Sequence, residues 1–289
     1  MAPAKINLTL AVRGRRPDGY HQLESLVVFA GDEASDRIEL VPGGAFHLDV
    51  EGPGASLLAT EARDSNLVAR AAAAFVQRFP QAETGAFRLH KHLPVAAGIG
   101  GGSADAAAAL RLLRRANPDL APRLDWHALA AAIGADVPVC LESRASLMWG
   151  LGERVAPLPA LPPLWAVIAN PRVPLATADV FRALSAGLVP AGLDMDASPE
   201  IPRFSALSDL VGYIADHPND LEAPAKRLCP VIVEVQSLLG DLGGALLARM
   251  SGSGPTCFAL FASAEAADGG ARWLAARHPD WWVQATALR

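Results

Sequence analysis

Leu93-Pro94-Val95-Ala96-Ala97-Gly98-Ile99-Gly100-Gly101-Gly102-Ser103-Ala104-Asp105 places four glycines within five positions and then runs into an alanine-rich stretch. The period-two alternation from Phe87 to Leu93 predicts a strand before it. A helix is expected from near Ser103 to just before Asn117-Pro118. Glycines let backbone amides come close to a ligand, and a helix start presents unpaired N–H groups with partial positive charge, so the loop is expected to bind phosphate. Taken alone, the same residues also read as an ordinary turn with Ser103 as helix N-cap. Two common phosphate loops do not fit. GxxxxGK[ST] needs a lysine after its last glycine, where Ser103 follows Gly102. GxGxxG starting at Gly98 meets Ser103 in place of its third glycine, and no parallel βαβ unit with an acidic residue about twenty positions on is evident.

Outward from the loop, Ile6 to Val12 alternates as a strand, Ser65 to Phe79 has helical spacing with Ser65 as its cap, and Trp126 to Ile133 predicts a helix closed by Gly134. Strands are expected between Arg144 and Val155. Pro157, Pro159, Pro162 and Pro163 then punctuate the chain and set an expected domain boundary, 1–157 and 158–289. Beyond it come a strand from Trp165 to Ala169 and helices near Ala178 to Ser185, Leu221 to Arg227 and Val231 to Leu239. Ala245 to Met250, a glycine turn, Thr256 to Phe261, a helix and a strand from Trp281 to Leu288 complete an expected α+β pattern. Gly187 to Phe204, rich in Pro, Gly and Asp, reads as a surface loop.

With 289 residues, 51% of them hydrophobic and 19% charged, the chain has enough apolar material for two packed domains. Its formal charge of −5 offers no overall positive field for a polyanion, so no nucleic-acid partner is expected. Cys140, Cys229 and Cys257 are too far apart in sequence for a zinc or redox motif and read as buried hydrophobes of a reducing compartment, which points to the cytoplasm. No apolar run approaches the roughly 20 residues of a membrane span, so no membrane partner is expected. Met1 to Val12 does not read as a secretory signal, because Lys5 and Asn7 interrupt it and its basic cluster follows the apolar part. Only three of the 25 cationic residues are lysines, Lys5, Lys91 and Lys226, and two of these fall inside motifs.

Pro94, then Gly98-Ile99-Gly100 leading through small residues into a helix, resembles the phosphate loop of the GHMP small-molecule kinases. Pro3-Ala4-Lys5-Ile6-Asn7-Leu8, Gly19-Tyr20-His21-Gln22-Leu23, Gly134-Ala135-Asp136-Val137-Pro138 and Ser251-Gly252-Ser253-Gly254-Pro255-Thr256 occur with it, in order. The set is similar to the branch of that family whose acceptor is a cytidine diphosphate conjugate of methylerythritol. The resemblance covers nearly the whole chain and implies a two-domain α+β kinase with its site in the cleft between domains, using ATP and Mg²⁺.

By that resemblance Asp136 orients or deprotonates the acceptor hydroxyl and Lys5 offsets the developing charge, roles that suit phosphoryl transfer. Pro94, Val95, Ala96, Ala97, Gly98, Ile99, Gly100, Gly101, Gly102, Ser103 and Ala104 are expected on the ATP phosphates, with Asn66 and Lys91 at the nucleoside and phosphate end. Asn7, Tyr20, His21, Thr177 and Phe181 are expected on the substrate, Tyr20 and Phe181 enclosing the cytosine. Read without the family, Asp136 is a turn aspartate, Lys5 and Lys91 are solvated strand charges, Asn66 is a first-turn helix residue, and Thr177 and Phe181 are a cap and a core aromatic. Many GHMP kinases have serines where this chain has Gly101 and Gly102, so no protein ligand of the metal is assigned. Asp105 would repel a phosphate and is expected to point away. The competing readings are a GHMP kinase for a smaller alcohol, a nucleotide-binding sensor that keeps the loop, and a nicotinamide-dependent oxidoreductase.

Overall fold

A computed structural model of the chain describes residues 1–58, 65–189 and 197–289. The first half runs β1 (Ala2–Pro3), β2 (Lys5–Asn7), β3 (Ala11–Arg15), β4 (His21–Phe29), β5 (Ser35–Val41), β6 (His47–Glu51), α1 (Ala55–Leu58), α2 (Leu67–Arg78) and β7 (Ala86–His90). It continues through α3 (Gly101–Ala116), α4 (Trp126–Ile133), α5 (Val137–Glu142), β8 (Ser146–Gly150) and β9 (Arg154–Pro157). The second comprises β10 (Leu164–Asn170), α6 (Thr177–Leu184), α7 (Leu207–Asp216), α8 (Glu222–Leu228), α9 (Val231–Gly240), β11 (Leu247–Met250), β12 (Cys257–Phe261), α10 (Ala264–Arg277) and β13 (Trp282–Leu288). The class is α+β. Among the described residues three sheets form, ordered β1-β5-β7-β6, β2-β4-β8-β9 with β3 also on β4, and β11-β12-β10-β13.

Strand periodicity sorts the apolar side chains of the described residues into three cores. On β10, Leu164, Ala166 and Ile168 face one core, while Val167 and Ala169 face another under α9 and α10. Phe258 and Leu260 on β12 part from Cys257, Ala259 and Phe261 in the same way. The shared core also takes Ala4, Ile6 and Leu8 from the N-terminal segment and Leu26 and Val28 from β4, so it joins the two halves. Because successive side chains alternate across a strand, Lys5 and Asn7 are forced to the opposite face. That face is the floor of a cleft.

The third core centres on α3, where Ala104, Ala106, Ala107, Ala108, Ala109, Leu110 and Leu113 are all buried. Alanine lets α2, α5 and the β1–β5 edge approach this helix from several sides, which a larger residue would prevent.

Several elements differ from the sequence expectation. Ile6 to Val12 divides into β2 and β3, which run along the same edge of β4. The cap of α2 is Asn66, whose side chain accepts from the Val68 N–H, and not Ser65. α3 starts at Gly101 with Gly100 at N-cap in the left-handed region, so Ser103 lies inside the helix. Of the expected loop from Gly187 to Phe204, the described residues form no helix or strand, and 190–196 lie outside the described residues. Among the described residues no helix is long and apolar enough to cross a membrane.

Candidate functional site

The glycine-rich loop is wedged between β2 and a glycine turn of the second half. Its backbone alternates through positive φ at Ala96, Gly98 and Gly100. On one side the Lys5 N–H donates to Ile99 C=O at 2.8 Å. On the other, the hydroxyls of Thr256 and Ser251 donate to Ala97 C=O and Gly98 C=O at 2.6 and 3.3 Å. Gly98 is required here. A Cβ on it would lie 2.6 Å from Gly254 O and 2.7 Å from Gly254 N, at a φ of +73°. The turn is held in place by Asn219, whose amide donates to Met250 C=O and Gly252 C=O at 3.0 and 2.8 Å.

The first intrahelical bond of α3 runs from Ala104 N–H to Gly100 C=O. The amides of Gly101, Gly102 and Ser103 are therefore outside the helical ladder, at the end of the dipole that favours anions. They border a cavity of about 620 Å³ that is also lined by Lys5, Asn66, Lys91, Asp136 and Ser253.

At the centre of this cavity Lys5, 3% exposed, donates to Asn7 Oδ1 at 2.8 Å and pairs with Asp136 Oδ2 at 3.4 Å. Asp136 is the N-cap of α5, with Pro138 in the first turn where a missing N–H costs nothing. Its own side chain makes no cap bond and stays 38% exposed to the cavity. Asn7 is less a wall of the site than a strut. It holds Lys5 and donates to Ser25 Oγ at 2.7 Å, and its N–H reaches Ser251 Oγ at 3.1 Å.

Leu23, Ala135, Leu151, Thr177 and Phe181 also border a second cavity, of about 680 Å³, which contains Tyr20 and His21. The cleft therefore continues from the loop, past Lys5 and Asp136, to an aromatic end. Phe181 stacks on His21 with ring centroids 4.8 Å apart. Tyr20 stands 64% exposed on a turn closed by Asp18. Burial, and then the Arg15 guanidinium, holds the His21 imidazole below its usual range, so near neutral pH it is uncharged. Thr177 Oγ1 and Ser253 Oγ share a hydrogen bond of 2.8 Å that joins α6 to the glycine turn.

Two expectations change. Lys91 is not an outward charge. It is buried between Asp36 and Asp105, at 2.5 and 2.7 Å. Burial opposes its charge, but the two carboxylates outweigh it and raise its pKa above the usual range. Nor does Asp105 point away: it lies in the second turn of α3, turned onto Lys91, and borders the cavity. Asp36 went unrecognised because its partner is 55 positions away, a pairing that local sequence does not display.

Arg111 was also missed. From the middle of α3 it donates to Cys140 C=O at 2.8 Å and to Leu141 C=O and Ser143 Oγ, each at 3.3 Å, at the C-terminal end of α5. It also donates to Met1 C=O at 2.8 Å. It thus ties the segment before Lys5 to the helix that Asp136 precedes as N-cap. Arg111→Met is expected to cost about 1.5–3 kcal/mol of stability, the range for hydrogen bonds to a charged group. Thermal unfolding checks this, and turnover should fall with it.

Anion-binding amides at a helix start, with a carboxylate and an ammonium beside them on an α+β scaffold, describe a small-molecule kinase. The GHMP kinases N terminal domain matches residues 66–144 and the GHMP kinases C terminal domain matches 198–279. A Rhodopseudomonas palustris protein named 4-diphosphocytidyl-2-C-methyl-D-erythritol kinase is 53% identical, over 99% of this chain and 96% of its own. The crystal structure titled 4-(cytidine 5'-diphospho)-2C-methyl-D-erythritol kinase is 35% identical, with a TM-score of 0.76 over 99% of this chain and 97% of that one. Mevalonate kinase from L. major, solved with R-mevalonate, shares the fold at a TM-score of 0.61 and 16% identity. The chain belongs to the GHMP kinases, ATP-dependent enzymes that phosphorylate small molecules, and within them to the 4-diphosphocytidyl-2-C-methyl-D-erythritol kinase family.

Proposed function

We infer that the protein transfers the γ-phosphate of ATP to the 2-hydroxyl of 4-diphosphocytidyl-2-C-methyl-D-erythritol, giving the 2-phosphate and ADP in non-mevalonate isoprenoid precursor biosynthesis. The carrying observation is the position of Lys5 and Asp136 between a phosphate-binding loop and an aromatic end of one continuous cleft. Amides of Gly101 to Ser103 receive the ATP phosphates, and the acceptor hydroxyl lies against Asp136, which orients it or takes its proton. Lys5, fixed by Asn7, offsets charge on the transferring group. Asn66 uses its Oδ1 to cap α2, which leaves its NH₂ for the nucleoside. We assign 1–157 and 158–289 as the two halves, a division supported by the separate sheets on either side of Pro157.

Mg²⁺ fits a cleft of this kind. The donor set, one open carboxylate beside the helix-start amides that would take the phosphates, suits a cation that binds through substrate phosphates and keeps most of its water. Asp136 is the open carboxylate that would meet it. When bound, the ion neutralises charge on the phosphates. The free, buried Cys140, Cys229 and Cys257 fit a cytoplasmic location.

The cytidine reading is tested at the aromatic end. Tyr20→Ala and Phe181→Ala are each expected to weaken the cytidine-linked substrate by about 1–3 kcal/mol, the worth of stacking a base on an aromatic ring, with ATP affinity unchanged. Affinities of both ligands and the melting temperature are measured together. A large loss of stability without selective loss of the cytidine ligand would favour a kinase for an unlinked alcohol.

A further inference from the structure

Lys91, Asp36 and Asp105 are 2%, 0% and 3% exposed, and two carboxylates there share one ammonium. Asp36 is fully compensated. Its Oδ2 takes the ammonium, while Oδ1 accepts from the N–H groups of His92 and Leu93 at 2.6 and 2.8 Å. Asp105 is not. Its Oδ2 meets Lys91, but among the described residues its buried Oδ1 has no hydrogen-bond partner. With both acids ionised the cluster carries one surplus negative charge in the interior, an expensive state. A proton on Oδ1 removes the surplus and turns the unpartnered acceptor into a donor.

The cluster also lies at the phosphate end of the cavity. Lys91 and Asp105 line it, and the missing Cβ of Gly101 would lie 3.2 Å from Lys91 Nζ. We propose that Asp105 is a proton-linked positioning residue of the phosphate loop, which takes up a proton on Oδ1 when ATP binds. The inference rests on the reading of that loop as the ATP phosphate site.

Burial pushes the Asp105 carboxyl up to about 7, with Lys91 pulling down and Asp36 adding to the rise. The other groups facing it are the Cys140 thiol from α5, held neutral by burial, and Lys5 and Asp136 in the same cavity. Arriving phosphates add negative charge and raise the carboxyl further. Free protein loses this proton as pH rises through about 7, the complex keeps it to higher pH, and wild-type ATP affinity falls on the alkaline side by up to about tenfold per pH unit.

The test is calorimetry of Mg²⁺ and ATP binding at roughly pH 8 in buffers of different ionisation enthalpy, on the wild type and Asp105→Asn. The amide keeps the shape and stays neutral. Wild type is expected to take up a proton and the variant to take up none. The variant should also bind ATP up to about tenfold more tightly than wild type at that pH, with little pH dependence. Equal proton uptake in both proteins, or loss of ATP binding in a folded Asp105→Asn, would overturn the proposal. Should the variant not fold, infrared difference spectra of the wild type decide: ATP must bring up the C=O stretch of a protonated carboxyl, and its absence sinks the idea. Failure of the wild type to bind ATP at all would instead count against the phosphate-loop reading.

Discussion

Asp136→Asn lowers turnover by roughly 10²-fold or more, the loss expected when general-base help is removed, and leaves the affinity for ATP measured without Mg²⁺ within about twofold. The variant isolates the chemistry because the Asp136 side chain caps nothing and faces the cavity, so exchanging one oxygen for NH₂ removes no support from α5. Lys5→Met is expected to lose turnover to a similar degree through a different route. The ammonium bridges Asn7 Oδ1 and the Asp136 carboxylate, and the thioether replaces its charge with apolar bulk of similar length. Steady-state kinetics with a melting curve check both. Near-normal turnover in either variant would remove that residue from the catalytic pair.

Gly98→Ala has the second large effect, and it acts on the loop. The added methyl would press against the backbone of Gly254 and against Ser251 O, at 2.6 to 2.9 Å, and neither neighbour is a flexible side-chain end. A left-handed conformation at a residue with a Cβ adds about 1–2 kcal/mol of strain. The loop must shift, and losing even one amide bond to a charged phosphate, about 1.5–3 kcal/mol, weakens ATP by about 10- to 100-fold. Gly102→Ala is the control. Its Cβ would meet only Leu67 Cδ1 at 3.5 Å, an ordinary contact, so ATP affinity should change little. Equal ATP affinity for folded Gly98→Ala and wild type would show that the loop does not need its place between β2 and the glycine turn.

How much of this was legible in the sequence depends on the range of the interaction. α4 is legible because its boundaries are local: Gly134 closes it as the sequence predicts, and the cap at its start is the neighbouring Asp125. α3 was read two residues late. Its N-cap is a left-handed glycine without a capping side chain, so the usual Ser signal at Ser103 misled. β4 was missed: its inner residues are buried on both faces, Leu26 and Val28 toward one core and Val27 and Phe29 toward another, which erases the polar alternation of a half-buried strand. Val137 to Glu142 gave no helix signal, since Pro138 reads as a breaker unless it is recognised as a first-turn residue.

At the candidate site, the family resemblance named residues that the fold brings to one cleft, but it did not supply their environments. Tyr20, His21 and Phe181 line one cavity, and there Phe181 rests on His21, a contact that the resemblance did not name. The buried Lys91 cluster was hidden because its three members come from β5, the segment after β7 and α3, and only the scarcity of lysine marked one of them.

Acceptor choice is the property that the aromatic end of the cleft controls most directly. ADP release is measured with the purified protein, ATP and Mg²⁺, offering in turn the cytidine-linked methylerythritol, free methylerythritol phosphate, mevalonate and homoserine. The cleft with its aromatic end predicts rapid, stoichiometric ADP release with the cytidine-linked acceptor and little above background with the other three. Comparable rates with an acceptor that lacks the cytidine would contradict the assignment of Tyr20, His21 and Phe181 to the base, and with it the substrate.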